Sequence, residues 1–352
     1  MGIHARFLEA ATAVPAYELD QGDVMKRVQG VFGSRSAVVE RLLPVFANTG
    51  IERRYSCVPI DWYYDEHGWP DRNAIYLASA VDLLERATTD VLARAGRTPQ
   101  DVDTIVVVST TGIATPSLDA LLMERLPFKR TARRLPIFGL GCAGGVLGLA
   151  RAAAMAQSRP GSLVLFLVVE LCALSFRKDD FSKSNIVATA LFGDGAAAAL
   201  LSTQGSGPAI AASGECTFPN SLDIMGWEVA DDGLKAIFSR DIPALVDTEM
   251  RGVASAHLAE SNLTLRDVDT FLCHPGGAKV LDALEGAFQL ESGSLVESRG
   301  VLRDFGNMSA ATVMFVLERA LHGGSLASPQ WQRALVTSMG PGFTAAFVTL
   351  ER

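Results

Sequence analysis

The chain reads as an α/β protein built from one unit used twice, and three matched observations carry that reading. Asp101-Val102-Asp103-Thr104 recurs as Asp267-Val268-Asp269-Thr270. Gly141-Cys142 follows the first copy and Gly306-Asn307 the second, at similar spacing. Each half then closes on a Gly-X-Gly pair, Gly193-Asp194-Gly195 and Gly340-Pro341-Gly342. Matched features in one order mark an internal repeat. The repeat divides the chain into residues 1–205 and 206–352.

Each copy of the tetrapeptide follows a polar turn and leads into a β-rich run, 105–109 and 271–274. Residues 135–138 read as a further strand before the Gly141 turn. Apolar residues at 146–156 and 312–321 recur at a period compatible with 3.6, which predicts a helix after each turn. The run 163–169 is continuously apolar and ends at Glu170. It is too short to cross a bilayer and reads as a central strand buried on both faces. Strands alternating with helices give an α/β architecture. Cys142 and Asn307 then occupy equivalent turns, and a pseudo-twofold arrangement brings both helix starts to one shared site.

Composition narrows the function. The 352 residues are 49% hydrophobic and 20% charged, with a formal net charge of -8. That balance argues against a general nucleic-acid binder, which needs a basic face. One basic stretch, 125–134, reads as a solvated surface loop. Five cysteines (Cys57, Cys142, Cys172, Cys216, Cys273) show no CxxC pair and no disulfide spacing. With no signal-peptide pattern, they are expected to be reduced thiols in a cytoplasm. The five histidines never fall at metal-ligand spacing, so no metal site is expected.

Three glycine-flanked segments hold the chemistry: Gly141-Cys142-Ala143-Gly144-Gly145, Cys273-His274-Pro275-Gly276-Gly277 and Gly306-Asn307-Met308-Ser309-Ala310. Cys142 sits between a strand and a helix, where free N–H groups and the helix dipole favour a thiolate. The alternative for a lone cysteine is a buried filler, which would not need glycine on both sides. His274 follows an apolar strand and precedes a rigid turn. Beside Cys142 it would complete a thiolate–imidazolium couple; alone it reads as a core histidine. Asn307 opens a helix, where Asn is also an ordinary N-cap. The functional reading is an amide donating to a thioester oxygen alongside His274, to stabilise an enolate. A Cys-His-Asn peptidase would use Asn to orient the His, but the papain-type sequence around the Cys is absent.

With these segments in place, the sequence resembles the type III polyketide synthases, the chalcone-synthase-like branch of the thiolase fold. The likeness runs from about Arg41 to the C-terminus. It rests on the Cys142, His274 and Asn307 turns, on Leu191-Phe192-Gly193-Asp194-Gly195, and on Gly340-Pro341-Gly342-Phe343. The resemblance implies a five-layer α-β-α-β-α sandwich and a homodimer acting iteratively on free coenzyme A thioesters, with no metal or redox cofactor. It implies that Cys142 carries the starter and growing chain, that His274 and Asn307 support decarboxylation of malonyl-CoA, and that Phe192 gates the active-site mouth and shields the thiolate from water. Lining positions carried over are Thr111, Thr115, Cys172, Ser309, Gly340 and Pro341. Arg41 matches a position that meets coenzyme A phosphates. Ile51-Glu52-Arg53-Arg54-Tyr55 also looks familial, although Arg53 and Arg54 read equally as solvated charges.

Departures from the plant pattern bear on substrate. Ala143 stands where plant members commonly have Phe, Cys172 where they have Thr, and Thr115 where a Met reaches the partner's cavity. Residues near Ala236 and Ile237 replace a second gate aromatic. Less bulky and less polar lining suits an aliphatic starter, at about 0.8 kcal/mol per buried methylene. The segments at 59–63 and 68–70 look like bacterial members that make alkylpyrones or alkylresorcinols. A neighbouring reading is an initiating ketoacyl-carrier-protein synthase, whose His motif is His-Gln-Ala-Asn and whose carrier protein could dock on residues 125–134. A non-catalytic partner of the same fold would have a degraded triad, and a cysteine hydrolase would not consume malonyl-CoA.

Overall fold

The computed structural model describes residues 3–32, 43–239 and 241–352. In chain order the first half runs β1 (Ala5–Ala13), β2 (Tyr17–Asp20), α1 (Gln21–Phe32), β3 (Arg53–Ser56), α2 (Trp69–Arg94), β4 (Thr104–Val108), α3 (Leu118–Arg125), β5 (Arg133–Ile137), α4 (Gly144–Ser158), β6 (Val164–Leu171), α5 (Lys183–Leu191) and β7 (Asp194–Ser202). The second runs β8 (Ala209–Thr217), β9 (Met225–Ala230), β10 (Gly233–Phe238), α6 (Ile242–Ala259), β11 (Thr270–Cys273), α7 (Ala278–Phe288), α8 (Val296–Phe305), α9 (Thr312–Leu321), β12 (Arg333–Gly340) and β13 (Thr344–Glu351).

The repeat is visible in single hydrogen bonds. Thr98 donates its backbone N–H and its hydroxyl to Asp101 Oδ2 at 2.8 and 2.9 Å. Thr264 and Asp267 repeat both bonds at 2.8 Å. Each of these capping boxes opens a short 3₁₀ turn that feeds a strand, β4 in one half and β11 in the other. The strand order repeats as well. One nine-stranded sheet runs β11-β12-β13-β8-β1-β7-β6-β4-β5. Its halves meet where β1 and β8 pair antiparallel at Ala5↔Ile210 and Arg6↔Ala209. β7 and β13 hold equivalent places, each antiparallel to the strands beside it. Among the described residues β5 has no counterpart in the second half, where α8 leads into the Asn307 turn instead.

Side-chain alternation along the strands builds the layers. Val164, Phe166 and Val168 of β6 face a middle layer with Val146 and Leu149 of α4 and Val313 and Val316 of α9. Leu165, Leu167 and Val169 face the other way, onto α2. In the second half Ala334 and Val336 of β12 turn to the same middle layer, and Leu335 turns out toward α6 and α7. The result is the expected α-β-α-β-α sandwich, with α4 and α9 at its centre. β6 is buried over its whole length, so the strand continues past Val169 through Glu170 and Leu171. Among the described residues no helix is long and apolar enough to cross a membrane.

The central helices approach closely. A Cβ on Gly145 would lie 2.3 Å from the Ala310 carbonyl oxygen and 2.5 Å from Val313 Cγ1. Only glycine allows α4 to lie against the start of α9 at this distance. Gly145→Ala should therefore destabilise the protein by about 2 kcal/mol, although alanine is the better helix former by about 1 kcal/mol. Urea unfolding monitored by circular dichroism measures the difference.

Candidate active site

Three turns from three elements converge on one cleft. Cys142 lies in a tight helical turn, Gly141–Ala143, directly before α4. Gly141 has φ +46°, and a Cβ there would meet Pro341 Cδ at 2.5 Å. The Gly340-Pro341 loop thus packs on the Cys142 turn and requires glycine there. The Gly141 N–H donates to Thr110 Oγ1 at 3.3 Å. The Cys142 thiol donates to Ser309 Oγ at 3.5 Å, and Ser309 itself has φ +47°, uncommon for a residue with a side chain.

Asn307 is fixed on every side. Its N–H donates to Leu191 O at 2.8 Å, and its carbonyl accepts from Gly193 N–H at 3.0 Å. Its side-chain Oδ1 accepts from Ser309 N–H at 2.8 Å, which directs the amide nitrogen away from its own turn. One Nδ2–H reaches Gly276 O at 3.3 Å, in the turn that follows His274. His274 stands at the end of β11, its N–H held by Thr337 O at 2.8 Å. The imidazole is 3% exposed, and neither ring nitrogen has a partner among the described residues.

Cys142, His274 and Asn307 line a cavity of about 330 Å³ together with Leu191, Phe238 and Met339. The same cavity meets Lys183 and Lys279, exposed residues in the first turns of α5 and α7. Burial pushes the Cys142 thiol up to about 11, with the hydroxyl of Ser309 opposing. It pushes the His274 imidazole down to about 4. Each group taken singly is neutral at pH 7. The thiolate–imidazolium couple expected from the sequence is therefore not the form that burial favours for these two groups.

The other expected residues fall in distinct places. Phe192 is buried and packs its ring on Trp227 and Phe238, with centroids 6.0 and 5.5 Å apart. It does not itself line the Cys142 cleft, which its neighbours Leu191 and Phe238 line, but lines a smaller pocket with Cys172. Ala236, where a second gate aromatic is expected to be replaced, is buried beside Cys172 and Phe192, and Phe238, two residues further along β10, brings an aromatic ring to the same group. Thr111 Oγ1 donates to Glu170 Oε2 at 2.9 Å and lies outside the cleft lining. Glu170 is fully buried, and that burial pushes its carboxyl up to about 8. Thr115 is exposed on its own chain. Arg41 lies outside the described residues.

Two expectations about charge resolve differently. Arg53 is exposed, but Arg54 is 2% exposed and is no solvated charge. Strand alternation in β3 puts one of the adjacent arginines out and the other in. In the basic stretch, Arg125, Lys129, Arg130 and Arg134 pair with Glu85, Asp103, Glu124 and Asp119 at 2.6–3.4 Å. The solvated-surface reading fits this network, and little unpaired positive charge is left for a carrier protein. Lys183, Lys279, Phe238 and Glu170 were not among the residues singled out, because their place at the site depends on contacts between distant segments.

Residues 63–208 match the family described as "Chalcone and stilbene synthases, N-terminal domain". Residues 210–351 match "Chalcone and stilbene synthases, C-terminal domain". The chain is 36% identical over 355 residues to a "Putative chalcone synthase" of Bacillus subtilis (strain 168), covering 97% of both chains. It is 35% identical to a "1,3,6,8-tetrahydroxynaphthalene synthase" of Streptomyces peucetius subsp. caesius, covering 97% of this chain and 91% of that one. Among solved structures, the 1,3,6,8-tetrahydroxynaphthalene synthase of Streptomyces coelicolor A3(2), described as a bacterial type III polyketide synthase, superposes with a TM-score of 0.92 at 26% identity, covering 98% of this chain and 99% of that one. With both halves matched in order and the thiolase-like sandwich built around the Cys142 cleft, this chain belongs to the chalcone and stilbene synthase family of type III polyketide synthases.

Proposed function

We propose that the chain condenses malonyl-CoA onto an acyl-CoA starter held as a thioester on Cys142, and closes the product to a pyrone or resorcinol-type ring. The observation that carries this reading is the His274 imidazole: buried, pushed toward its neutral form, without a partner at either nitrogen among the described residues, and in one cleft with Cys142 and the Asn307 amide. A neutral imidazole N–H and an amide N–H both donate to a thioester oxygen. When the malonyl carbon–carboxylate bond breaks, carbon dioxide leaves and the electron pair becomes an enolate on that oxygen. The enolate carbon then attacks the acyl carbonyl on Cys142, a carbon–carbon bond forms and the sulfur departs as thiolate. Decarboxylation supplies the carbanion and thioester exchange the acyl group, so the reaction calls for no metal or redox cofactor.

Two features support coenzyme A esters as substrates. Lys183 and Lys279 stand at the cavity on helix first turns, where phosphate is favoured, and neither is in an ion pair among the described residues. The paired stretch 125–134 gives a carrier-protein route less support. An aliphatic starter suits the pocket behind Phe192, whose walls include Leu19, Val24, Val28, Ile60 and Phe176. A homodimer is supported by the edge strand β5, paired on one side only among the described residues, with Phe138 beside it 59% exposed and Ile113 51% exposed. The five unpaired cysteines suit a reducing cytoplasm.

Incubation with malonyl-CoA and short, medium and long acyl-CoA starters, read by mass spectrometry, should give pyrone or resorcinol ions that Cys142→Ala abolishes. Unchanged malonyl-CoA with every starter would sink the reading. If His274 is the proton acceptor, iodoacetamide alkylation of Cys142 at pH 7 should slow by about tenfold or more in His274→Ala. The thiol then has to ionise unaided, so the variant's rate should climb with pH toward the thiol's value of about 11, where the difference from wild type closes. Phe138→Asp should shift the protein from dimer to monomer in sedimentation equilibrium.

A further inference from the structure

Arg54 heads the large side chains that the fold encloses completely. Burying a guanidinium is costly unless its donors hold something in place. Its Nη1–H donates to the carbonyl oxygen of Phe192 at 3.1 Å. Burial lowers the guanidinium to about 10, against Tyr63 and Asp194, two residues beyond Phe192, which favour its charge. Asp194 is itself buried and accepts from Cys57 N–H at 2.9 Å and Ala173 N–H at 2.8 Å.

The bond to Phe192 falls at a critical point. Residues on either side of Phe192 are already spent on the Asn307 turn: Leu191 O accepts from Asn307 N–H, and Gly193 N–H donates to Asn307 O. Arg54 holds the remaining carbonyl from the opposite side. Its stem fills the space beside both strands, with its Cβ 3.2 Å from where a side chain on Gly193 would begin and 3.4 Å from the same point on Gly306. Three segments distant in sequence are thereby closed into one unit that carries the aromatic wall and the amide.

We propose that Arg54 is a positioning residue, which clamps the Phe192 backbone so that the aromatic wall and the Asn307 amide keep one register, and so couples decarboxylation to condensation. The inference rests on the malonyl condensation proposed above. The enolate has two fates. It attacks the acyl carbonyl on Cys142, or it takes a proton from water and leaves as acetyl-CoA. The ratio of the two depends on where the enolate sits and how dry its surroundings are. It does not depend on how much protein is folded, since a loss of active enzyme lowers both products together.

The test measures acetyl-CoA and polyketide in one reaction from labelled malonyl-CoA, for wild type, Arg54→Lys, Arg54→Met and Phe192→Ala, with folding checked by thermal melting. The ratio of acetyl-CoA to polyketide should rise by about tenfold or more in Arg54→Met, with Arg54→Lys between. Starter loading on Cys142, read by intact mass, should stay within about twofold of wild type in both Arg54 variants. Arg54→Met combined with Phe192→Ala should raise the ratio no further than the larger single effect, because the two act through one element. An unchanged ratio in a folded Arg54 variant overturns the inference, as does additivity with Phe192→Ala. Failure of both Arg54 variants to fold also overturns it, since Arg54 would then serve the whole fold. A wild-type protein that leaves malonyl-CoA untouched overturns the reaction itself, and the inference with it.

Discussion

The carbonyl of Ala310 lies where a side chain on Gly145 would begin, and the rest of the molecule is arranged around that contact. Cys142 stands one turn before Gly145, and Asn307 one turn before Ala310. Bringing α4 against α9 therefore does two things at once. It joins the two halves through the middle layer, and it fixes the spacing between the Cys142 thiol and the Asn307 amide. A duplicated unit suits this use, because equivalent turns related by a pseudo-twofold meet at the axis. The second half then departs from the first where the chemistry needs it to, with Asn307 where the first copy has Cys142.

The same close packing governs the charges. Burial that would shield the proposed enolate also disfavours ions, and both His274 and Cys142 are pushed toward their neutral forms. In the proposed reaction the developing charge would be met by N–H donors held in place by the fold. Asn307 is suited to this because its amide carries no charge to desolvate. Its orientation is set by Ser309 N–H on one side and Gly276 O on the other. Glu170 feels the same pressure a strand away.

Legibility in the sequence follows how local each cause is. The Asp-Val-Asp-Thr repeat was readable because its capping boxes lie within four consecutive residues. The Cys142, His274 and Asn307 turns were readable because their glycine and proline neighbours answer to local backbone geometry. The join of β1 to β8 was not, since no residue near Ala5 announces Ile210 as its partner. Arg53 and Arg54 look alike in sequence, and only the parity of a short strand separates them. Phe238 escaped because a hairpin's register decides which residue faces the cleft. Lys183 and Lys279 escaped because they come together only when α5 and α7 do.

The two ends of the nine-stranded sheet are finished differently. At β11 the Ser298 hydroxyl of α8 accepts from Cys273 N–H at 3.2 Å and donates to Cys273 O at 2.7 Å, occupying both backbone groups of an edge residue. At β5 the outer backbone faces away from the sheet, and Pro136 leaves it one donor short. Ser298 thus covers the last residue of one edge strand, and a proline interrupts the other, and both features work against strand-by-strand growth of the kind that builds fibres.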